Sequence, residues 1–217
     1  MNKDVGAAPK RAVHHRTAIG QAQRAKTRAW IIQCAISVFA EHGPDIPVID
    51  DFAKAAGIAR ATFYNYFQTT RELLDATMAT LSDELIATIA PAVRDEPNPV
   101  IRLATAAWLY YRKATVDPMF GAFLGSVSGV GALAAEHARA DLVDAINAGL
   151  VKIQDIELAE AIAFGVMVFA LRTPKARDGG DARALEVIRA ILGGLGVSPP
   201  LIDEALRALN PRSPIAG

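Results

Sequence analysis

Residues 49–67, Ile-Asp-Asp-Phe-Ala-Lys-Ala-Ala-Gly-Ile-Ala-Arg-Ala-Thr-Phe-Tyr-Asn-Tyr-Phe, read as two short helices meeting at a tight angle. Gly57 sits at the bend, where a positive φ is cheap only for glycine. Phe52, Ala53 and Ala56 form an apolar stripe before the bend, and Ile58, Phe63, Tyr66 and Phe67 supply the facing stripe. Arg60, Thr62, Tyr64 and Asn65 then point away from the packed side. Such a corner can set the start of its second helix into the major groove of DNA, where these side chains meet phosphates and base edges. A plain helical corner has the same glycine and the same stripe, so spacing alone leaves both readings open.

The flanks narrow the choice. Residues 27–43 have helical period, with Ile31, Ala35, Val38 and Phe39 on one side and Gly43 as the stop. Arg71, Glu72, Leu73 and Leu74 open another helix beyond the corner. A three-helix head running into a long connector resembles the TetR family of bacterial transcriptional regulators. The shared features are Ile31, Ala35, Phe39, Gly43, Ala53, Ala56-Gly57-Ile58, Thr62-Phe63-Tyr64, Phe67 and Leu73, within residues 27–74.

The resemblance implies an all-α fold: an N-terminal three-helix helix-turn-helix DNA-binding domain, then a larger helical ligand-binding and dimerisation domain. It implies a palindromic double-stranded DNA operator, a homodimer and a small-molecule effector that releases a repressor. Arg60 is the expected base reader, because a guanidinium engages guanine O6 and N7 together. Ala61 is small enough to approach a thymine methyl. Thr62, Tyr64 and Tyr66 would grip the backbone, Asn65 could donate to phosphates or base edges, and Lys54, Arg28 and Arg71 would add charge. Three positions depart from the family pattern. Pro47 and Val48 stand where a hydroxyl usually caps the second helix, leaving Asp45 or a proline-started turn to do so. Ala59 replaces the serine capping the recognition helix. Thr70 stands where a phosphate-gripping lysine is usual, with Arg71 one place along.

Composition fits this picture. The chain has 217 residues, is 52% hydrophobic and carries no net charge. The charge is nevertheless divided: residues 1–71 hold ten Lys/Arg against five Asp/Glu, leaving thirteen against eighteen in 72–217. The positive field therefore gathers at the end where phosphates would bind. Residues 1–24 are basic and polar, and read as a disordered arm rather than a secretory signal. The head is expected over 25–71, the second domain over 72–210 and a tail over 211–217. The longest apolar run, 161–171, is too short to span a bilayer. Cys34, the single cysteine, excludes an internal disulfide. The cytoplasm is the expected location, with no membrane partner, metal or cofactor.

Beyond the head, helices are expected over about 74–93, 100–117, 119–127, 133–153, 156–172, 182–195 and 199–209. Trp108, Tyr111, Met119, Phe120, Phe123 and Met167 are candidates to line an apolar ligand cavity. Aromatics at helical spacing also make ordinary core. Arg112, His137 and Arg139 are candidate polar anchors. Ala161, Gly165 and Phe169 on one helix, with Ile188, Leu192 and Leu195 on the next, are candidates for a dimer interface. Packing within one subunit is the alternative. A regulator without a ligand is a second functional reading. An enzyme is a remote one: Gly129-x-Gly131-x-x-Ala134 matches a dinucleotide-binding signature, and Asp155 stands near the expected acidic position. No run of parallel strands surrounds it, so no enzymatic activity is expected.

Overall fold

The computed structural model describes residues 10–117, 119–121, 131–173 and 180–209, with side chains from residue 20 onward. Among these residues the backbone is helical, with no strand. The helices are α1 (Lys10–His42), α2 (Ile49–Ala56), α3 (Arg60–Tyr64), α4 (Thr70–Val93), α5 (Pro99–Val116), α6 (Ala132–Asn147), α7 (Ile156–Leu171), α8 (Gly180–Gly194) and α9 (Pro199–Ala208).

The head is built by α1, α2 and α3 around a phenylalanine stack. Phe39 meets Phe52 with ring centroids 4.8 Å apart, Phe52 lies 6.4 Å from Phe63, and Phe63 lies 5.9 Å from Phe67. Ile31, Ala35, Ala53, Ala56 and Leu73 close the same core. Gly57 ends α2 at φ 67°, ψ 32°, and Ile58 N–H donates to Ala53 O at 2.9 Å. This left-handed closure turns the chain sharply enough to start α3 three residues later. Trp30 ties α1 to the same end, its Nε1–H donating to Ala56 O at 3.0 Å.

Several boundaries differ from those expected. Helix α1 starts at Lys10, so the division between arm and head at residue 24 falls inside one continuous helix. Residues 10–26 are rich in alanine, arginine, lysine and glutamine, good helix formers whose propensity favours extending α1. Helix α2 is capped by neither Asp45 nor a proline at its first position. Val48 is the N-cap residue, and the Asp51 carboxylate reaches back to accept its N–H at 2.8 Å. The helix expected over 133–153 stops at Asn147. Gly149 takes φ 67°, Leu150 N–H donates to Ala145 O, and residues 150–155 cross to α7. Helix α8 already includes Gly180 and Asp181, which were expected in a loop.

Helix α4 leaves the head and runs into the second domain. It packs on α1 at one end and on α5 and α6 farther along, while α5 also packs against α7, α8 and α9. A buried knot fastens α4 at mid-length. Ser82 Oγ lies 2.9 Å from Tyr110 Oη and accepts Gly131 N–H at 3.1 Å. Asp83 accepts Leu133 N–H at 2.9 Å. Helix α6 is held to α5 by Arg102, whose guanidinium reaches Asp141 and Asp144 at 2.7 Å each.

Candidate nucleic-acid interface and interior cavity

Helix α3 is one turn and a half long and depends on its neighbours for stability, because an isolated helix of this length does not persist. Phe63 anchors it from below. Ala59 is its N-cap residue and provides no side-chain hydrogen bond, as the substitution of serine implies. Its far end is clasped by α1: Arg24 Nη2 donates to Asn65 O at 2.7 Å and the same guanidinium lies 5.5 Å from the Tyr66 ring centre. Arg28 stacks over Phe67 at 4.9 Å. Gln68 Nε2 donates to Tyr64 O at 2.7 Å, linking the recognition helix to the start of α4.

This arrangement leaves Arg60, Ala61 and Asn65 exposed, with Thr62, Tyr64 and Tyr66 half-buried on the same short element. Arg60 is held in place on several sides. Its Nη1 lies 3.0 and 2.9 Å from the two oxygens of Asp50, its Nη2 lies 3.3 Å from Tyr64 Oη, and its guanidinium sits 5.8 Å from the Tyr64 ring centre. Lys54 is exposed on α2. Helix α4 begins beside this edge with Thr69 as N-cap, accepting Glu72 N–H at 3.0 Å, while Glu72 accepts Gln68 N–H at 2.7 Å. Thr70 follows the cap, and Arg71 pairs with Asp75 at 3.1 Å. The clustered donors, the exposed guanidinium and the helix start form a surface suited to a phosphate backbone and a base edge. Asp50 and Arg24 escaped the sequence reading, since ten and forty-one residues separate them from their partners.

The second domain contains a cavity of about 70 Å³ between α4, α5, α6, α7 and α8. Its walls include Ile86, Ile89, Leu103, Phe164 and Met167, and its polar edge is Tyr110, His137 and Asp141. Of the expected lining residues, only Met167 is there. Trp108 and Tyr111 are buried but do not line it; Arg112 stacks on the Trp108 ring at 4.7 Å and pairs with Asp181 at 3.0 Å. Phe120 backs Tyr110 edge-on at 5.4 Å and does not reach the cavity, nor does Met119. Phe123 lies outside the described residues. Successive residues on α5 are turned by about 100°, so Leu103, Ala107 and Tyr110 share the side that faces the cavity while Trp108 is turned well away from it. Arg139 is committed to Glu160 at 2.8 Å.

Two cavity groups titrate unusually. Burial pushes the Tyr110 phenol up to about 12, against the lowering effect of its Ser82 hydrogen bond. Burial also raises the Asp141 carboxyl, partly opposed by Arg102. Among the described residues no His, Cys, Asp or Glu cluster has the arrangement of a metal site. Cys34 is half-buried, and desolvation raises its thiol above the ordinary value.

The expected dimer residues divide. Ile188, Leu192 and Leu195 are at most 1% exposed within the single chain and belong to its core. Ile188 and Leu192 lie on α8 and Leu195 directly follows it, in a helix that packs on α5, α7 and α9. Helix α7 presents Ala161, half-buried Gly165 and Phe169 along one side, and Phe169 is 66% exposed. Leu158 continues this stripe at 48% exposure. Of the dinucleotide signature, the described part packs against α4. Gly129 lies outside the described residues, and Gly131 caps α6 against α4, where an added Cβ would fall 2.5 Å from Asp83 Oδ1 and 2.8 Å from Ala79 O. Asp83 already accepts the Leu133 amide, and no strand precedes the turn among the described residues.

Comparison with known proteins agrees with this geometry. Residues 31–77 match the model for bacterial regulatory proteins, tetR family. No curated protein matches the chain. Among solved structures, RolR in complex with resorcinol superposes with a TM-score of 0.73 at 25% identity, over 88% of this chain and 98% of that one. RolR without ligand gives 0.69 at 22% identity, over 87% and 100%. The regulator FadR from Bacillus subtilis, in complex with stearoyl-CoA, gives 0.56 at 19% identity, over 76% and 98%. The head, residues 31–77, thus matches the tetR family of bacterial regulatory proteins in sequence, and the helical body is similar in fold to RolR.

Proposed function

We propose that the protein is a sequence-specific transcriptional repressor of the cytoplasm that binds an inverted-repeat operator as a homodimer and leaves it when a small ligand fills the second domain. The observation that carries the reading is the α2–α3 corner, closed at Gly57, with Arg60, Thr62, Tyr64 and Tyr66 gathered on its exposed edge. Arg60 reads a base, Thr62, Tyr64, Asn65 and Tyr66 hold phosphates, and Lys54 and Arg71 strengthen the local field. Arg28, exposed and stacked over Phe67, adds its charge beside the same edge. The α7 stripe of Leu158, Ala161, Gly165 and Phe169 supports self-association, since large apolar side chains this exposed gain by being covered. Two-fold symmetry then places two recognition helices on one face of the duplex.

The cavity supports one effector class. Its walls are apolar and its polar edge is confined to Tyr110, His137 and Asp141, which suits a one-ring aromatic bearing hydroxyl groups. RolR was solved with such a molecule, resorcinol. The volume of about 70 Å³ is half the ~150 Å³ that admits benzene in an engineered core, so entry must part the walls. Ile86 and Ile89 belong to α4, so parting them shifts the helix that carries the head. A ligand moves the equilibrium only by its difference in affinity for the two arrangements. The small resting volume also favours a second reading, a regulator without ligand.

The test has two stages. Selection from random duplex DNA should return an inverted repeat, and one-ring phenols should then release the selected duplex. A non-symmetric selected site would refute the dimeric arrangement. Unchanged binding across a panel of phenols, with no thermal shift, would leave the ligand-free regulator.

A further inference from the structure

The acidic partner of Arg60 needs an explanation. A carboxylate on a face that meets phosphates opposes binding, yet Asp50 stands there, at the second position of α2. Its two oxygens lie 3.0 and 2.9 Å from a single nitrogen of Arg60, Nη1. Tyr64 Oη takes Nη2 at 3.3 Å, and the Tyr64 ring lies beneath the guanidinium. These contacts leave the Nε–H and one Nη2 hydrogen uncommitted. With Tyr64 taking the Nη2 hydrogen that faces Nη1, the two free donors form the edge that pairs with guanine O6 and N7. The guanidinium plane and its open edge are thus set before DNA arrives.

We propose that Asp50 is a positioning residue for base reading: it anchors Nη1 so that Arg60 presents its Nε–Nη2 edge to one base pair, gaining sequence discrimination at the expense of general DNA affinity. The inference rests on the DNA-binding reading given above. Arginine on a free stem samples many rotamers and can settle on any nearby phosphate. A fixed arginine cannot do so, and the negative charge beside it further discourages contacts with the backbone. The corner at Gly57 makes this possible by bringing the start of α2 beside the start of α3. Asp51, the neighbouring carboxylate, is engaged with the Val48 amide and is not available for the same role.

The experiment compares wild type, Asp50→Asn, Arg60→Ala and the double variant by selection from random duplexes and by titration of one selected and one scrambled duplex. Asp50→Asn should lower discrimination roughly tenfold at the base pair that Arg60→Ala relaxes. It should also tighten binding to the scrambled duplex, because one negative charge leaves the face. In the Arg60→Ala background the same change should leave base preference unaltered. Unchanged discrimination in Asp50→Asn, or an equal loss without Arg60, would overturn the proposal. Because Asp51 still caps α2, folding of each variant can be checked by its helical circular dichroism. Wild type that binds no duplex would refute the DNA-binding reading itself. Wild type with a clear preference that survives Asp50→Asn would refute the positioning role alone.

Discussion

Removing the Ser82 hydroxyl should destabilise the protein far more than removing its partner. Ser82 is fully buried, and its oxygen serves both Tyr110 Oη at 2.9 Å and Gly131 N–H at 3.1 Å. In Ser82→Ala both groups lose their partner, and each buried polar group left unpaired costs ~1–3 kcal/mol. A total of ~2–4 kcal/mol is expected, on the scale of a large core truncation. Tyr110→Phe removes a single hydrogen bond; Ser82 still accepts from Gly131 and can turn its proton to the carbonyl one turn earlier. Its cost should be ~1 kcal/mol. In the double variant no phenol remains to be orphaned, so the total should fall short of the sum by ~1 kcal/mol. Urea unfolding followed by circular dichroism, at one protein concentration, measures all three changes. A midpoint loss in Ser82→Ala no larger than in Tyr110→Phe, or strict additivity, would refute the buried-knot reasoning.

Other expectations address separate parts of the molecule. Ala59→Ser should raise the melting temperature, because a hydroxyl at the N-cap of α3 supplies a missing acceptor worth ~1 kcal/mol. In an alkaline absorbance titration, one of the four tyrosines should ionise near pH 12, and Tyr110→Phe should remove that component. The sign for stability follows: the folded value lies above the unfolded one near 10, so stability is fully present below pH 10 and is lost as pH rises towards 12, by ~3 kcal/mol. Phe169→Glu should shift sedimentation towards the monomer while preserving helicity. A dimer of unchanged strength would remove α7 from the interface.

The head could be read from the sequence because its determinants lie within a short window. Phe52, Phe63 and Phe67 pack as their spacing implies, and Gly57 adopts the left-handed turn that its position requires. The cavity could not be read in the same way. Helix α5 is apolar on several sides, and only the angles at which α4, α6 and α7 cross it decide that Tyr110, not Trp108 or Tyr111, faces the space. The same applies to α8 and its end, where Ile188, Leu192 and the following Leu195 are as apolar as an interface but are buried within the chain. Contacts across long sequence separations, such as Arg24 with Asn65 and Ser82 with Gly131, leave no periodic trace. The extension of α1 to Lys10 was obscured for a different reason, since polar helix formers carry no apolar stripe.

The most direct measurement is fluorescence anisotropy of a duplex selected by the purified protein, titrated across a range of salt concentrations with wild type and Arg60→Ala. Wild type should bind with an affinity that falls linearly in log–log form as salt rises, and Arg60→Ala should lose preference at one symmetry-related pair of positions by ~1–3 kcal/mol. Failure of wild type to bind any duplex at low salt would contradict the placement of α3 in a DNA groove.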